Sequence, residues 1–229
     1  MIQIRHSEDR GPANHGWMQS RHSFSFAAYY DPRYMGVSAL RVINDDRVAP
    51  GMGFATHSHR DMEIISYVKN GTIEHKDSMG NIERLPAGEF QLMSAGTGVT
   101  HSEYNPSDTE ELEFLQIWIQ PNQYGIEPGS QQKLFDDVQG LQLIASPDAR
   151  DGSLLLHQDA SLYQLRLDSG ASAEHALGRG RTVYVHVVSG SVSVNGAELG
   201  EGDGATVRDV DTVSFASDGS TEALVFDLP

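Results

Sequence analysis

Tyr67 to Ile73 reads Y-V-K-N-G-T-I, and His186 to Val192 reads H-V-V-S-G-S-V. In each, a strand-like run ends at a glycine and a new one begins just beyond it. The likeness continues downstream, where L-P-A-G-E (Leu85 to Glu89) matches L-G-E-G-D (Leu199 to Asp203) across a shorter loop. A motif that recurs in order within one chain indicates a duplicated unit, here a β unit. Outward from the first copy, Ser38 to Pro121 holds short alternating or apolar runs such as A-L-R-V-I, E-I-I-S-Y-V, F-Q-L-M and L-E-F-L-Q-I-W-I. N-D-D, P-G-M-G, N-G, S-M-G-N and P-A-G punctuate them. A second series starts at Leu154 with L-L-L-H, L-Y-Q-L-R-L, R-T-V-Y-V-H-V-V and A-L-V-F-D-L. With no helical period between such strands, the chain is expected to be all-β, built as two tandem antiparallel barrels. The Pro-, Gly- and Gln-rich stretch P-N-Q-Y-G-I-E-P-G-S-Q-Q reads as the connector. The expected domains are residues 1–125 and, connector included, 126–229.

A chain of 229 residues, 38% hydrophobic and 21% charged, can bury two such cores. It has no cysteine, so disulfides and thiolate metal sites are excluded and any metal must be held by nitrogen and oxygen. A net charge of −16 argues against binding nucleic-acid phosphates, which takes clustered Lys and Arg. The N-terminus lacks the basic and apolar regions of a signal peptide, and no apolar run is long enough to span a bilayer. A cytoplasmic protein is expected, with no membrane contact.

Two short motifs carry the chemistry. T-H-S-H-R-D-M-E holds His57 and His59 with Glu63 four residues on, and T-G-V-T-H-S-E-Y-N holds His101 and Glu103. At i, i+2 spacing each pair projects to one face of a strand. On adjacent strands inside a barrel, the two pairs would surround one point with three imidazoles and a carboxylate. That donor set suits Fe(II), Mn, Ni, Cu, Co or Zn and leaves positions open. A lone histidine in a β protein is usually structural, and His157, His175 and His186 are read that way. Asn14, His15, His22 and Asp31 are read as part of a segment folded across the barrel, and Phe24, Phe26, Tyr29 and Tyr30 as packing residues. Core packing is also the reading for Met52, Phe54 and Met93, although a place at the mouth of the metal pocket is open to them. S-A-G-T-G (Ser94 to Gly98) lacks the lysine and helix of a phosphate loop.

G-M-G-F-A-T-H-S-H-R-D-M-E resembles the first cupin motif, with its closing glycine, Gly71, one place late. G-N-I-E-R-L-P-A-G resembles the start of the second motif, but Gln91 stands where its histidine is expected. That departure, with H-S-F-S-F-A-A-Y-Y-D-P, M-G-V-S-A-L-R-V-I-N-D-D, Q-L-M-S-A-G-T-G-V-T-H-S-E-Y-N and F-L-Q-I-W-I-Q-P, resembles the pirin branch of the cupins over the whole N-terminal half. Including the second half, the chain looks like bacterial pirin-like bicupins of the quercetin 2,3-dioxygenase type.

The resemblance implies two jelly-roll-like cupin barrels with one divalent transition metal, iron first, in the N-terminal barrel. It implies His57, His59, His101 and Glu103 as ligands. Glu63 occupies the place of another cupin ligand; it shares the face of His59 if residues 59 to 63 stay extended, and is left as base, alternative ligand or a partner orienting an imidazole. The implied reaction is oxidative cleavage of a flavonol by O2, with Glu103 or Glu63 taking the 3-hydroxyl proton. Eukaryotic pirins are similar proteins regarded as transcriptional co-regulators, so a metal-dependent module with a protein partner is the rival reading. A monomer is expected, because a bicupin supplies its own barrel-to-barrel contact.

Overall fold

The computed structural model describes residues 1–229 and is β throughout apart from two 3-10 turns, Ser7–Asp9 and Arg150–Gly152. The strands of the first half are β1 (Ile2–Arg5), β2 (Gly11–Asn14), β3 (Met18–His22), β4 (Leu40–Val48), β5 (Gly53–His59), β6 (Glu63–Asn70), β7 (Thr72–Asp77), β8 (Ile82–Pro86), β9 (Glu89–Ser94), β10 (Val99–Tyr104), β11 (Leu112–Ile119) and β12 (Gly129–Leu134). Those of the second are β13 (Gly140–Ser146), β14 (Leu154–Leu155), β15 (Ser161–Leu167), β16 (Ser172–Ala176), β17 (Thr182–Ser189), β18 (Ser191–Val194), β19 (Ala197–Gly200), β20 (Gly204–Val207), β21 (Thr212–Ala216) and β22 (Thr221–Leu228). No helix is long and apolar enough to cross a membrane.

Each half folds a seven-stranded sheet against a four-stranded one. In the first the orders are β12-β9-β6-β11-β4-β3-β2 and β5-β10-β7-β8; in the second, β1-β20-β17-β22-β15-β13-β14 and β16-β21-β18-β19. The orders correspond strand for strand, so the Gly71 and Gly190 motifs are equivalent β6–β7 and β17–β18 turns. Both glycines hold φ of +83° and +75°, and a Cβ at Gly190 would lie 2.3 Å from the Ser220 carbonyl oxygen. The duplicated all-β bicupin architecture read from the sequence is the one observed. Two strands cross the division expected at residue 126. β12 closes the edge of the first barrel by pairing with β9, and β1 takes the equivalent edge of the second barrel by pairing with β20. Each otherwise open edge is thereby covered.

The two large sheets face one another. β6 and β11 are buried almost continuously because both their faces are covered. Alternation then sorts their side chains. Ile65, Tyr67, Leu115 and Ile117 join a 24-residue apolar layer between the barrels with Leu162, Tyr184, Leu224 and Phe226. Val68, Leu112 and Phe114 point into the first barrel, and Val183, Val185 and Val225 into the second. Polar groups interrupt the seam. Tyr67 donates to Glu222, and Gln164 Nε2 donates to Tyr67 Oη at 3.1 Å.

His186, equivalent to Tyr67, is fully buried and neither ring nitrogen has a partner. Burial first, then Arg10, pushes its pKa down to about 3 from 6.5. The unfolded chain therefore binds a proton that the folded chain refuses, and stability falls as pH drops from 6.5 towards 3. His186→Gln is expected to reduce the stability loss between pH 7 and pH 5 by about 2 kcal/mol, in denaturant melts at the two pH values.

Candidate metal centre

β5 and β10 are neighbours in the four-stranded sheet, with His57 opposite His101 and His59 opposite Val99. Two residues of β5, Ala55 and Thr56, oppose the single Ser102 of β10 between the His57–His101 and Phe54–Glu103 pairs. This bulge brings Phe54 to the histidine face and frees the Ala55 carbonyl. His57 Nδ1 donates to that carbonyl at 2.8 Å, which fixes the tautomer with the Nε2 lone pair free. The imidazoles converge, with ring centroids 4.4 to 4.9 Å apart, and donor atoms of His57, His59 and His101 all lie within 4.8 Å of one another. Nε2 of His59 and of His101 is buried without any partner. Burial first, then neighbouring imidazoles, pushes the pKa of His59 down to about 4 and of His101 to about 3. Neutral imidazoles with free lone pairs aimed at one point fit a divalent cation.

Glu103 lies on the same strand one alternation further on, fully enclosed. Ser66 Oγ donates to its Oε1 at 3.3 Å and Gln116 Nε2 to its Oε2 at 3.0 Å. Its ligating atoms group with those of His101 and of His75, on β7. Burial raises its pKa, opposed by His75 and His57. The carboxylate thus shares His101 with the triad, and His101 links the two groups.

His75 was not singled out from the sequence. It pairs with Glu103 across β7 and β10, and its Nε2 donates to Asp77 Oδ2 at 3.1 Å. Its Nδ1 then accepts from His101 Nδ1, 3.5 Å away, leaving His101 Nε2 as the lone-pair nitrogen. Asp77–His75–His101 is a carboxylate–imidazole relay that orients a donor. The only hint in the sequence is the i, i+2 pair in H-K-D, the same spacing as the two motifs that were read.

Glu63 stands elsewhere. The chain turns between β5 and β6, with Asp61 at φ +47°, so residues 59 to 63 are not extended and the expected shared face with His59 is lost. On β6, Glu63 falls on the seam side with Ile65 and Tyr67. Its Oε2 accepts from Ser94 Oγ at 3.0 Å and from the His157 backbone N–H at 3.2 Å, with His157 Nδ1 at 3.3 Å. It ties the second barrel to the first, and burial raises its pKa.

A cavity of about 560 Å³ opens on His57 and His59. Its apolar wall includes Trp17, Phe26, Phe54 and Trp118, with Met52 at the side. Trp118 meets the His59 ring edge-on at 5.0 Å, and Phe26 packs edge-on against Trp118 at 5.4 Å. Phe26, Met52 and Phe54 are therefore pocket residues as well as packing residues, whereas Met93 packs with Ile64 and Val99. His22, held by Asn44 at 2.7 Å, lines the same cavity. So does Asp46, whose pKa is pushed up to about 7 by burial. Asn14 accepts from the Gly16 N–H and Asp31 pairs with Arg33, both in turns.

The Pirin family profile matches residues 3–119, and the profile of the quercetinase C-terminal cupin domain matches residues 143–228. The chain belongs to the pirin family. A curated Escherichia coli K12 relative named quercetin 2,3-dioxygenase is 55% identical over all of this chain and 99% of its own length. The crystal structure of YhhW from E. coli superposes with a TM-score of 0.99 at 55% identity, covering 100% of this chain and 98% of that one. A crystal structure of YhhW in complex with nickel(II) gives 0.97 at 54% identity, covering 100% and 99%. This pirin is an oxidoreductase of the cupin metal-dioxygenase kind, with a site for one divalent metal ion.

In a pirin held together this way, His75→Leu should weaken metal binding about 10–100-fold by releasing His101. Competitive titration with a chromophoric chelator checks it, and unchanged affinity would remove His75 from the site.

Proposed function

We propose that this pirin cleaves a flavonol such as quercetin with O2, using His57, His59, His101 and Glu103 to hold the metal. The observation that supports it best is three imidazoles converging beside the buried Glu103, with His57 and His59 lining an aromatic-walled cavity of about 560 Å³. Such a volume and lining suit a planar polyphenol. The donor set suits iron(II), the ion that the family resemblance puts first, and also nickel, the ion in the E. coli relative's crystal. Bound there, a divalent transition ion supplies Lewis acidity and redox chemistry towards dioxygen.

The chain's own residues have separate tasks. Burial keeps His59 and His101 neutral, so their lone pairs stay available at physiological pH. Trp118 and Phe54 lie on the wall beside His59 and His57, where they orient a flat ring and exclude water. Glu103, its pKa raised by burial, is the group suited to take the substrate's 3-hydroxyl proton, with Gln116 and Ser66 steadying the carboxyl. Opening the flavonol ring then releases one ring carbon as carbon monoxide and leaves a depside ester, both atoms of O2 ending in the products. Glu63, committed to Ser94 and His157, is assigned to joining the barrels and not to proton transfer.

Oxygen-electrode assays with quercetin across several divalent ions test the reading. Glu103→Gln is expected to lower turnover at least about 100-fold, while Glu63→Gln retains most of it. Metal-loaded protein that neither consumed O2 with quercetin nor bound it would overturn the assignment.

A further inference from the structure

Between β3, β4 and β6 of the first barrel and the Glu201–Gly202 turn of the second lies a cleft of about 550 Å³. Only one of its 14 lining residues is hydrophobic, so it is not a groove for an apolar ligand. Arg10, Arg21, Arg47 and Lys69 line it, four of the 16 cations in a chain whose net charge is −16. Three carboxylates face them, two of them Glu8 and Glu201.

The third, Asp45, is shared by two cations. Lys69 Nζ donates to Oδ1 at 3.2 Å and Arg10 Nη2 to Oδ2 at 3.5 Å. Arg10 is 5% exposed, and its Nη1 has no partner. Of the guanidinium's five N–H groups, one turns to the Ser7 carbonyl at 3.4 Å and one to Asp45. Of the three on Lys69, the contact to Asp45 uses one. The donors outnumber the acceptor, and burial already pulls the Arg10 pKa down. Gly202, at φ +78°, lets the guanidinium lie against bare backbone, since a Cβ there would stand 2.6 Å from Arg10 Nη2. The position of Arg10 is therefore built by both halves of the chain.

We propose that this cleft binds the phosphate or carboxylate group of a small metabolite, with Arg10 and Lys69 as its floor and Arg21 at its mouth. Charge-assisted donation from a planar fork and an ammonium group is the chemistry that selects an oxyanion. The cleft itself is lined from both barrels, Glu201 and Gly202 coming from the second. Asp45 alternates along β4 with Asn44 and Asp46, which line the metal cavity, so the two sites lie on opposite faces of one strand.

Isothermal titration of the full chain with inorganic phosphate and, separately, citrate at constant ionic strength tests the proposal, the tighter of the two naming the group. One saturable site per chain is expected. Lys69→Met should weaken it about tenfold, and Asp45→Asn, which removes the internal competitor, should tighten it severalfold. A loosened fold does not produce tightening, so the second variant separates the site from a stability effect. No saturable binding of either anion, or an affinity that either substitution leaves unchanged, would overturn the proposal.

Discussion

Strand alternation in a sheet covered on both faces is the constraint on which the rest of this pirin depends. β6, β11 and β4 run through the middle of the first large sheet, and none of their residues can choose a side independently. Beyond the irregularity at Leu40, even-numbered positions look into the first barrel and furnish Ser66, Gln116, Trp118, Asn44 and Asp46 around the metal centre. Odd-numbered positions look across the seam and furnish Ile65, Tyr67, Leu115 and Ile117, with Asp45 and Lys69 at the polar end. A one-residue slip of β11 would send Gln116 to the apolar layer and Leu115 to the carboxylate of Glu103. The sheet's register and the site's chemistry are thus one specification.

The duplicated barrel shows what the same frame does with other side chains. β21 corresponds to β10, β16 to β5 and β18 to β7. Val213 pairs with His175 as His101 pairs with His57, and Phe215 pairs with Val194 as Glu103 pairs with His75. Val213, Phe215 and Val194 belong to the apolar core of the second barrel. His175 survives at the first imidazole's position but is held by Asp227 at 2.8 Å. Apolar side chains at three of these four places replace donors with packing, and stability in this half rests on that dry core.

The parts of this arrangement that were legible in the sequence are those set by short-range rules. Two-residue spacing placed His57 beside His59 and His101 beside Glu103, and the glycine turns at Gly71 and Gly190 exposed the duplication. What escaped depends on contacts between distant segments or on breaks in regularity. Glu63 was tied to the face of His59 by assuming an extended link, and a single left-handed residue, Asp61, undid that parity. His75 carries an i, i+2 partner like the others, but its place under His101 depends on β7 pairing with β10 across an intervening hairpin. The exchange of β1 and β12 between barrel edges has no local signature, since edge pairing is decided by which backbone lies uncovered.

One ion is expected between three imidazoles and Glu103 in the first barrel. Anomalous diffraction at the absorption edge of the bound metal, from crystals of the full chain, tests it most directly. The account predicts one strong peak, bonded to Nε2 of His57, His59 and His101 and to a Glu103 oxygen, with Glu63 still on Ser94 and His157. A peak coordinated by Glu63, or one with Glu103 turned away onto Ser66 and Gln116 alone, would contradict it.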